Sequence, residues 1–490
     1  MIDAFNGKPT PIKLESYSKN AFFKNALSCY LIRALHVNKH LAPVRALATE
    51  KPAAPAAKKK PGTAARKAKG SKGKSVFLTD RAGGKNLWYT HLNTPHAMYH
   101  GGKTYITFHG GGSDYLDPLV VSYDHKTRKV RGPVKVGDNP LAKSRDHHGN
   151  PALIVDDAGY IHVIYGGHGH HRGQMRHAVS ERPHDISAWQ HLKNINTQTT
   201  YPQLLKMSDG TIYYFYRQGN HRTDWVYVTS KDNGRTFSKE IPVMAGGKKR
   251  TDGEYLDGVY YDAWYGSFYK GRDDTIHHVT RYHGCANDYS QPYHLERRVH
   301  LYHLQMTHGK GEWTNLTGRK LELPVTREQA DKHCRVFESR PKTGHGKVIA
   351  VRSGGFDVGP KGRVYVVYGH GRGRGGSIDR KWTVAIGDPS SGKWLTHEAP
   401  QGGQLTVEKD GSLKLWGDRI AVSQDGGRSW ETGAALREQG LSGVALVYNG
   451  RPEARVVAHD PRPEDPAGWQ NRKIFLWGEE GFITPRSGER

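Results

Sequence analysis

From Val76 onward, short runs of alternating apolar and polar residues are separated by turns rich in Asp and Gly. Ala152 to Val155 and Tyr160 to Tyr165 form one such pair, with Asp157-Ala158-Gly159 between them. Alternation on both sides of a Gly-bearing tight turn predicts a β-hairpin. The pattern recurs at Asp209-Gly210 followed by Thr211 to Tyr216, and at Thr275 to Val279, Arg363 to Tyr368 and Ser412 to Trp416. Grouping the runs gives seven units: 80–138, 147–196, 199–246, 259–318, 321–400, 403–437 and 441–482. A period of about 50 residues suits four-stranded antiparallel blades set radially. The expected fold is therefore all-β, a seven-bladed β-propeller over residues 76–490. Six or eight blades, because the fifth unit is long, and a two-domain β-sandwich are the alternatives.

Two units end in a tighter motif. Ser230-Lys-Asp232-Asn-Gly234-Arg-Thr236-Phe237 and Ser423-Gln-Asp425-Gly-Gly427-Arg-Ser429-Trp430 share the pattern S-x-D-x-G-x-[T/S]-[W/F]. Ser and Asp at those positions can bond backbone amides across a hairpin turn, Gly accepts a positive φ, and the aromatic plugs between strands. The motif resembles the Asp-box, or bacterial neuraminidase repeat, whose usual setting is the β-propeller. It is a folding signature and assigns no chemistry.

Charge adds a direction. The chain carries 73 Lys+Arg against 47 Asp+Glu, a net +26. Residues 1–75 hold 16 Lys/Arg and 3 Asp/Glu, so half of that excess remains in the segment expected to fold. A basic folded domain favours anionic partners. Residues 51–75 are Lys/Ala/Pro/Gly-rich with little to bury, and read as a disordered basic linker or a nucleic-acid tail. Residues 1–50 read as a signal or targeting segment, with Ala46-Leu47-Ala48 like a small-residue cleavage site, or as a plain amphipathic segment. No apolar run approaches the ~20 residues of a spanning helix.

Candidate chemistry gathers at one hairpin edge. His147 and His148 precede the strand at Ala152, while His168, His170 and His171 follow the strand ending at Tyr165. An antiparallel hairpin brings those two ends together. One unit on, Tyr201 and Arg217 occupy the positions equivalent to His148 and His168.

The runs DHHGNPALIVDDAGYIHVIYGGHG, TYPQLLKMSDGTIYYFYRQG and SKDNGRTF resemble repeat proteins that include the propeller-type ulvan lyases, over residues 80 to 300. The resemblance implies a catalytic set of His148, His168, Tyr201 and Arg217, with His147 competing for the place of His148. It implies substrate contacts from Tyr260 or a neighbour, and Arg372, in a Gly/Arg-rich run, could reach an anionic ligand. Such a set suits β-elimination. Arg can neutralise a uronate carboxylate bidentately, neutral His or Tyr can remove the C5 proton, and Tyr can protonate the leaving oxygen. No cofactor is required for that chemistry.

A second cluster, His283, Cys285 and Cys334, with His294 nearby in sequence, combines ligand types suited to zinc. A structural zinc, two buried thiols and a Cys285–Cys334 disulfide are the competing readings. The expectation is a secreted or periplasmic, monomeric lyase acting on a uronate-containing, sulfated polysaccharide, with neither nucleic acid nor a membrane span involved. A sialidase-like glycoside hydrolase, although no Arg-Ile-Pro occurs, and a non-catalytic carbohydrate-binding propeller are the alternatives.

Overall fold

The computed structural model describes residues 87, 92–110, 116–141, 146–169, 174–195, 199–251, 259–285, 298–339, 349–372, 379–438, 440–461 and 472–486. All lie in one compact unit, 71–490. The expectations for residues 1–50 and 51–75 fall outside the described residues. No helix among those described is long and apolar enough to cross a membrane.

The fold is predominantly β. The described strands form six sheets: four of four strands, one of six and one of eight. Within each four-stranded sheet, neighbours in sequence are neighbours in space and antiparallel, the arrangement of a propeller blade. The eight-stranded sheet joins the first four strands of the chain to the last four. Its seam is a parallel pairing of Ala97–His100 with Ser442–Arg451, in which Ala97 faces Val447 and Met98 faces Tyr448.

Burial grades along the second unit. Ala152–Val155 and Ile161–Tyr165 are buried at every position, whereas the fourth strand of that sheet, Trp189–Leu192, has its central residues exposed. Strands covered on both faces cannot display a clean period of two. That is why a polar residue such as His162 lies only 2% exposed, with its ring nitrogens on His177 and Asp156.

Both Asp-box turns adopt the expected bonding. The Ser230 hydroxyl donates to Asp232 (2.7 Å) and accepts from the Gly234 amide (2.8 Å), and Asp232 accepts from the Thr236 amide (2.9 Å). Ser423, Asp425, Gly427 and Ser429 repeat those three bonds at 2.8, 2.7 and 2.9 Å. Gly234 and Gly427 have φ of +74° and +94°, where a side chain would be strained.

The long fifth unit has a specific cause. Residues 321–339 carry an α-helix, Arg327–His333, capped by the Thr326 side chain, and a strand, Arg335–Phe337, that pairs with Arg298–Thr307 of the preceding sheet. The fifth unit proper begins at Ile349. Its excess length is an insertion packed on its neighbour.

Candidate active site

Contacts within the second unit, and one from it to the third, surround the predicted histidines. The turn His147–Gly149 packs against Gly166, whose amide donates to the Gly149 carbonyl at 3.0 Å. A Cβ on Gly149 would stand 2.7 Å from the Gly166 Cα, so only glycine allows this approach. The Gly169 amide then donates to the Thr200 hydroxyl of the next unit (3.0 Å), and buried Asn93 donates to the carbonyls of His148 and Asn150. These contacts place His148 and His168 face to face, ring centroids 3.7 Å apart and planes 9° from parallel.

One residue holds both rings. Asp146 accepts from the Nδ1 of His148 through one oxygen and from the Nδ1 of His168 through the other, each at 2.5 Å. A carboxylate only accepts, so both Nδ1 atoms carry hydrogen, and in a neutral ring Nε2 is then the nitrogen with the lone pair. Burial alone would raise the Asp146 pKa, but the hydrogen bonds from His148 and His168 hold it well below the usual carboxylate range. Burial lowers the pKa of His148 more than Asp146 raises it, which favours the neutral base near pH 7. His147 turns away, its ring 6.3 Å from that of His109. Of the two, it is His148 whose ring bonds Asp146 and stacks on His168.

Tyr201 lies 5.7 Å from His148, centroid to centroid, and packs against Trp225 and Tyr265. Its backbone is left-handed, φ +64°, and the pairing of its strand with Ile212–Gln218 shifts register between Phe215 and Arg217. Tyr201 and Pro202 thus stand opposite the single residue Tyr216, a bulge that re-aims the Tyr201 side chain. Arg217 completes the group, its guanidinium carbon 4.9 Å from the Tyr201 ring and 5.2 Å from that of Tyr265. It is fully buried, and none of its three nitrogens has a hydrogen-bond partner among the described residues. The imidazoles are the accessible part, 24% and 17% exposed at His148 and His168.

Other predicted residues are placed differently. Tyr260 is in the hydrophobic core, its hydroxyl 3.3 Å from the Arg327 guanidinium, and the tyrosine beside Tyr201 and Arg217 is Tyr265. Arg372 ends the strand Val364–Arg372, and its side chain lies outside what the structure describes. Cys285 and Cys334 are not joined in a disulfide. Cys334 follows the helix Arg327–His333 and is absent from the donor group around Cys285, which is completed instead by His221. His294 is outside the described residues.

The donor atoms of His221, His283 and Cys285 all lie within 4.8 Å of one another, and the Cys285 sulfur is 3.7 Å from the His221 Nδ1. Tetrahedral ligands of zinc stand roughly 3.5 Å apart, so the donor set and its spacing fit that ion. The Nε2 of His221 faces the Tyr265 hydroxyl at 3.4 Å, which links this group to the floor of the candidate active site.

A large cavity of about 1190 Å³ lies elsewhere, lined by Lys270, Asp357, Glu408, Tyr448 and Arg455. Lys270 closes the strand Tyr260–Lys270, whereas Tyr201 sits near the start of Thr199–Lys206. Glu408 and Arg455 there pair with each other at 3.0 Å. The unsatisfied guanidinium of Arg217 is with the histidines and not in this cavity.

Sequence reasoning missed Asp146, His221 and Tyr265. Asp146 directly precedes the two histidines, and its place at the head of a one-turn helix was the available signal. His221 is one histidine among 29, with no spacing to mark it.

Residues 103–401 match the model of the BNR repeat-containing family. The chain is 32% identical to an ulvan lyase of Alteromonas sp. (strain LOR) over 84% of this chain and 88% of that one. It is 33% identical to the ulvan lyase PL25 of Pseudoalteromonas sp. (strain PLSV), over 80% and 83%. A solved polysaccharide lyase structure, PL25 ulvan lyase, superposes with a TM-score of 0.72 at 28% identity, covering 84% of this chain and 98% of the other. The same enzyme has been solved bound to -[GlcA(1-4)Rha3S]-, with the same score, identity and coverage. With the repeat turns, the sheet order and the His/His/Tyr/Arg group all in place, the chain belongs to the BNR repeat-containing family, in the branch that holds these ulvan lyases.

Proposed function

We propose that the protein is a polysaccharide lyase that cuts ulvan by β-elimination beside a glucuronate-type residue. The carrying observation is Arg217, a buried guanidinium with no acceptor, set against Tyr201 and the two imidazoles held by Asp146. A buried cation without a partner is costly, and a substrate carboxylate supplies the missing anion. Pairing that carboxylate with Arg217 lowers the barrier to losing the C5 proton. The C5–H bond then breaks toward a base, either Tyr201 or the Nε2 of His148. The electron pair forms the C4=C5 double bond, the C4–O bond breaks, and the leaving oxygen takes a proton from Tyr201. His168 contacts the carboxylate or a hydroxyl.

The sheets are read as seven blades, closed into a ring by the parallel seam between Ala97–His100 and Ser442–Arg451. Secretion or a periplasmic location, and a monomeric state, agree with a polymeric substrate outside the cell. The test is a screen of ulvan, alginate, pectate and glycosaminoglycans for the ultraviolet absorbance of a conjugated unsaturated uronate. Ulvan is expected to give it. New reducing ends without absorbance would identify a hydrolase, and binding without either would leave a carbohydrate-binding module.

The zinc reading moves to His221, His283 and Cys285. When bound, the ion would supply a structural cross-link between the third and fourth units and fix the orientation of His221 toward Tyr265. Purified protein is expected to contain about one zinc per chain, and Cys285→Ser to lose most of it together with several degrees of melting temperature. Metal-free protein with an unchanged melting point in Cys285→Ser would refute the site.

A further inference from the structure

The cavity of about 1190 Å³ is at the opposite end of the strands from the candidate active site. Tyr201 stands near the start of the strand Thr199–Lys206, and Lys206 ends it, roughly 16 Å further along. The Lys206 carbonyl accepts from the side chain of Lys270 (3.2 Å), which lines the cavity. Gly271, Asp410 and Pro452 continue the wall, from the turns between first and second strands of the fourth, sixth and seventh units. Lys409 and Gln424 in the lining are exposed, so the cavity opens to solvent there.

Its polar groups are arranged unlike those around Arg217. Five cationic and four carboxylate side chains line it, and most are paired. Arg455 bonds Glu408 at 3.0 Å, Lys414 bonds Glu479 at 2.9 Å, and Lys270 bonds Asp274 beside the cavity at 2.7 Å. A wall neutralised in this way has little excess charge to draw a polyanion. Two polar atoms are left over. The Tyr448 hydroxyl and the Arg455 Nε are buried, and neither has a hydrogen-bond partner among the described residues. Buried polar atoms need a partner, and here it enters from solvent, as water or as a ligand hydroxyl. Tyr448 is the one aromatic residue among those described in the lining, so no slot between two rings awaits a flat base. It also lines a second cavity of about 180 Å³, whose wall includes Leu204, Leu205, Phe268 and Phe356. The larger space thus ends at Tyr448 in an apolar throat that a hydroxylated ligand would not enter.

We propose that this cavity is a second saccharide site, which binds an uncharged, polyhydroxylated sugar segment away from the catalytic residues. A sugar hydroxyl donates and accepts at once, so it settles beside a carboxylate–guanidinium pair without leaving either charge unsatisfied. The space exceeds the roughly 300–1,000 Å³ of ordinary small-molecule pockets, and so admits several linked rings. The proposal stands apart from the lyase reading, because the two sites share no residue.

Isothermal titration of the full chain with xylohexaose, cellohexaose and maltohexaose tests it, with hexagalacturonate as the charged counterpart. At least one of the uncharged sugars is expected to bind with a Kd below about 1 mM. Tyr448→Phe keeps the ring and removes one oxygen, while Arg455→Lys keeps a cation for Glu408 and removes the Nε donor. Each is expected to weaken binding by about fivefold or more, whereas Tyr201→Phe, at the other end, binds as the wild type does. Full-strength binding in both cavity variants would place the sugar elsewhere and overturn the site. So would an absence of binding by all three uncharged sugars, or tighter binding of hexagalacturonate that the same two substitutions weaken. Should Tyr448→Phe melt below the titration temperature, Arg455→Lys alone decides.

Discussion

Tyr201→Phe is expected to lower kcat on ulvan by about 10³-fold or more with little change in KM. The substitution removes one oxygen. The ring still packs against Trp225 and Tyr265, and still lies 4.9 Å from the Arg217 guanidinium. Backbone strain at φ +64° is the same for Phe as for Tyr, so the fold should be unaffected. A melting temperature within about 1 °C of the wild type would confirm that the loss is chemical. Initial rates of ultraviolet-absorbing product give the answer directly. Should the variant keep a tenth or more of its activity, proton transfer to the leaving oxygen would belong elsewhere, with His148 the first candidate.

The second large effect is on stability. Eight histidines, His96, His109, His177, His277, His278, His300, His303 and His459, are each 3% exposed or less. Burial pushes every one of them down, to about 4 for His96 and His300, about 3 for His277, His278 and His459, and well below the ordinary value for His109, His177 and His303. An imidazole whose folded pKa is depressed binds its proton more readily in the unfolded chain. Stability is therefore complete above pH 6.5 and falls as pH drops toward the folded values. Each such group loses roughly 2 kcal/mol between pH 7 and pH 5. Eight together exceed the 5–15 kcal/mol typical of a folded domain. One pair sharpens the effect: His277 and His303 are joined nitrogen to nitrogen at 3.0 Å, a bond that protonation of both partners turns into repulsion. Cooperative loss of tertiary structure near pH 5, followed by tryptophan fluorescence, is the expected result. A fold that persists unchanged at pH 4 would show that these imidazoles find acceptors or water when charged.

The local devices of this protein were legible in its sequence. Alternation around Asp-Gly turns marked the hairpins, and the Ser/Asp/Gly/aromatic spacing marked the turns now seen at Ser230–Phe237 and Ser423–Trp430, because those bonds join residues within a few positions of each other. The positions of His148, His168, Tyr201 and Arg217 at equivalent hairpin ends followed from the same periodicity, and the resemblance turned them into a catalytic hypothesis. What tertiary structure alone decided involves residues far apart in the chain. Asp146 holds two rings because Gly149 and Gly166 let two strand ends touch. His221 joins His283 and Cys285 across two sheets, displacing the Cys334 that composition suggested. Tyr265, not Tyr260, stands beside Tyr201 and Arg217 although both rings are buried in the same core, and no local pattern states which tyrosine the neighbouring sheet will turn toward them. Periodicity specifies which strands form, while the identity of the side chains that meet between them depends on how the sheets pack.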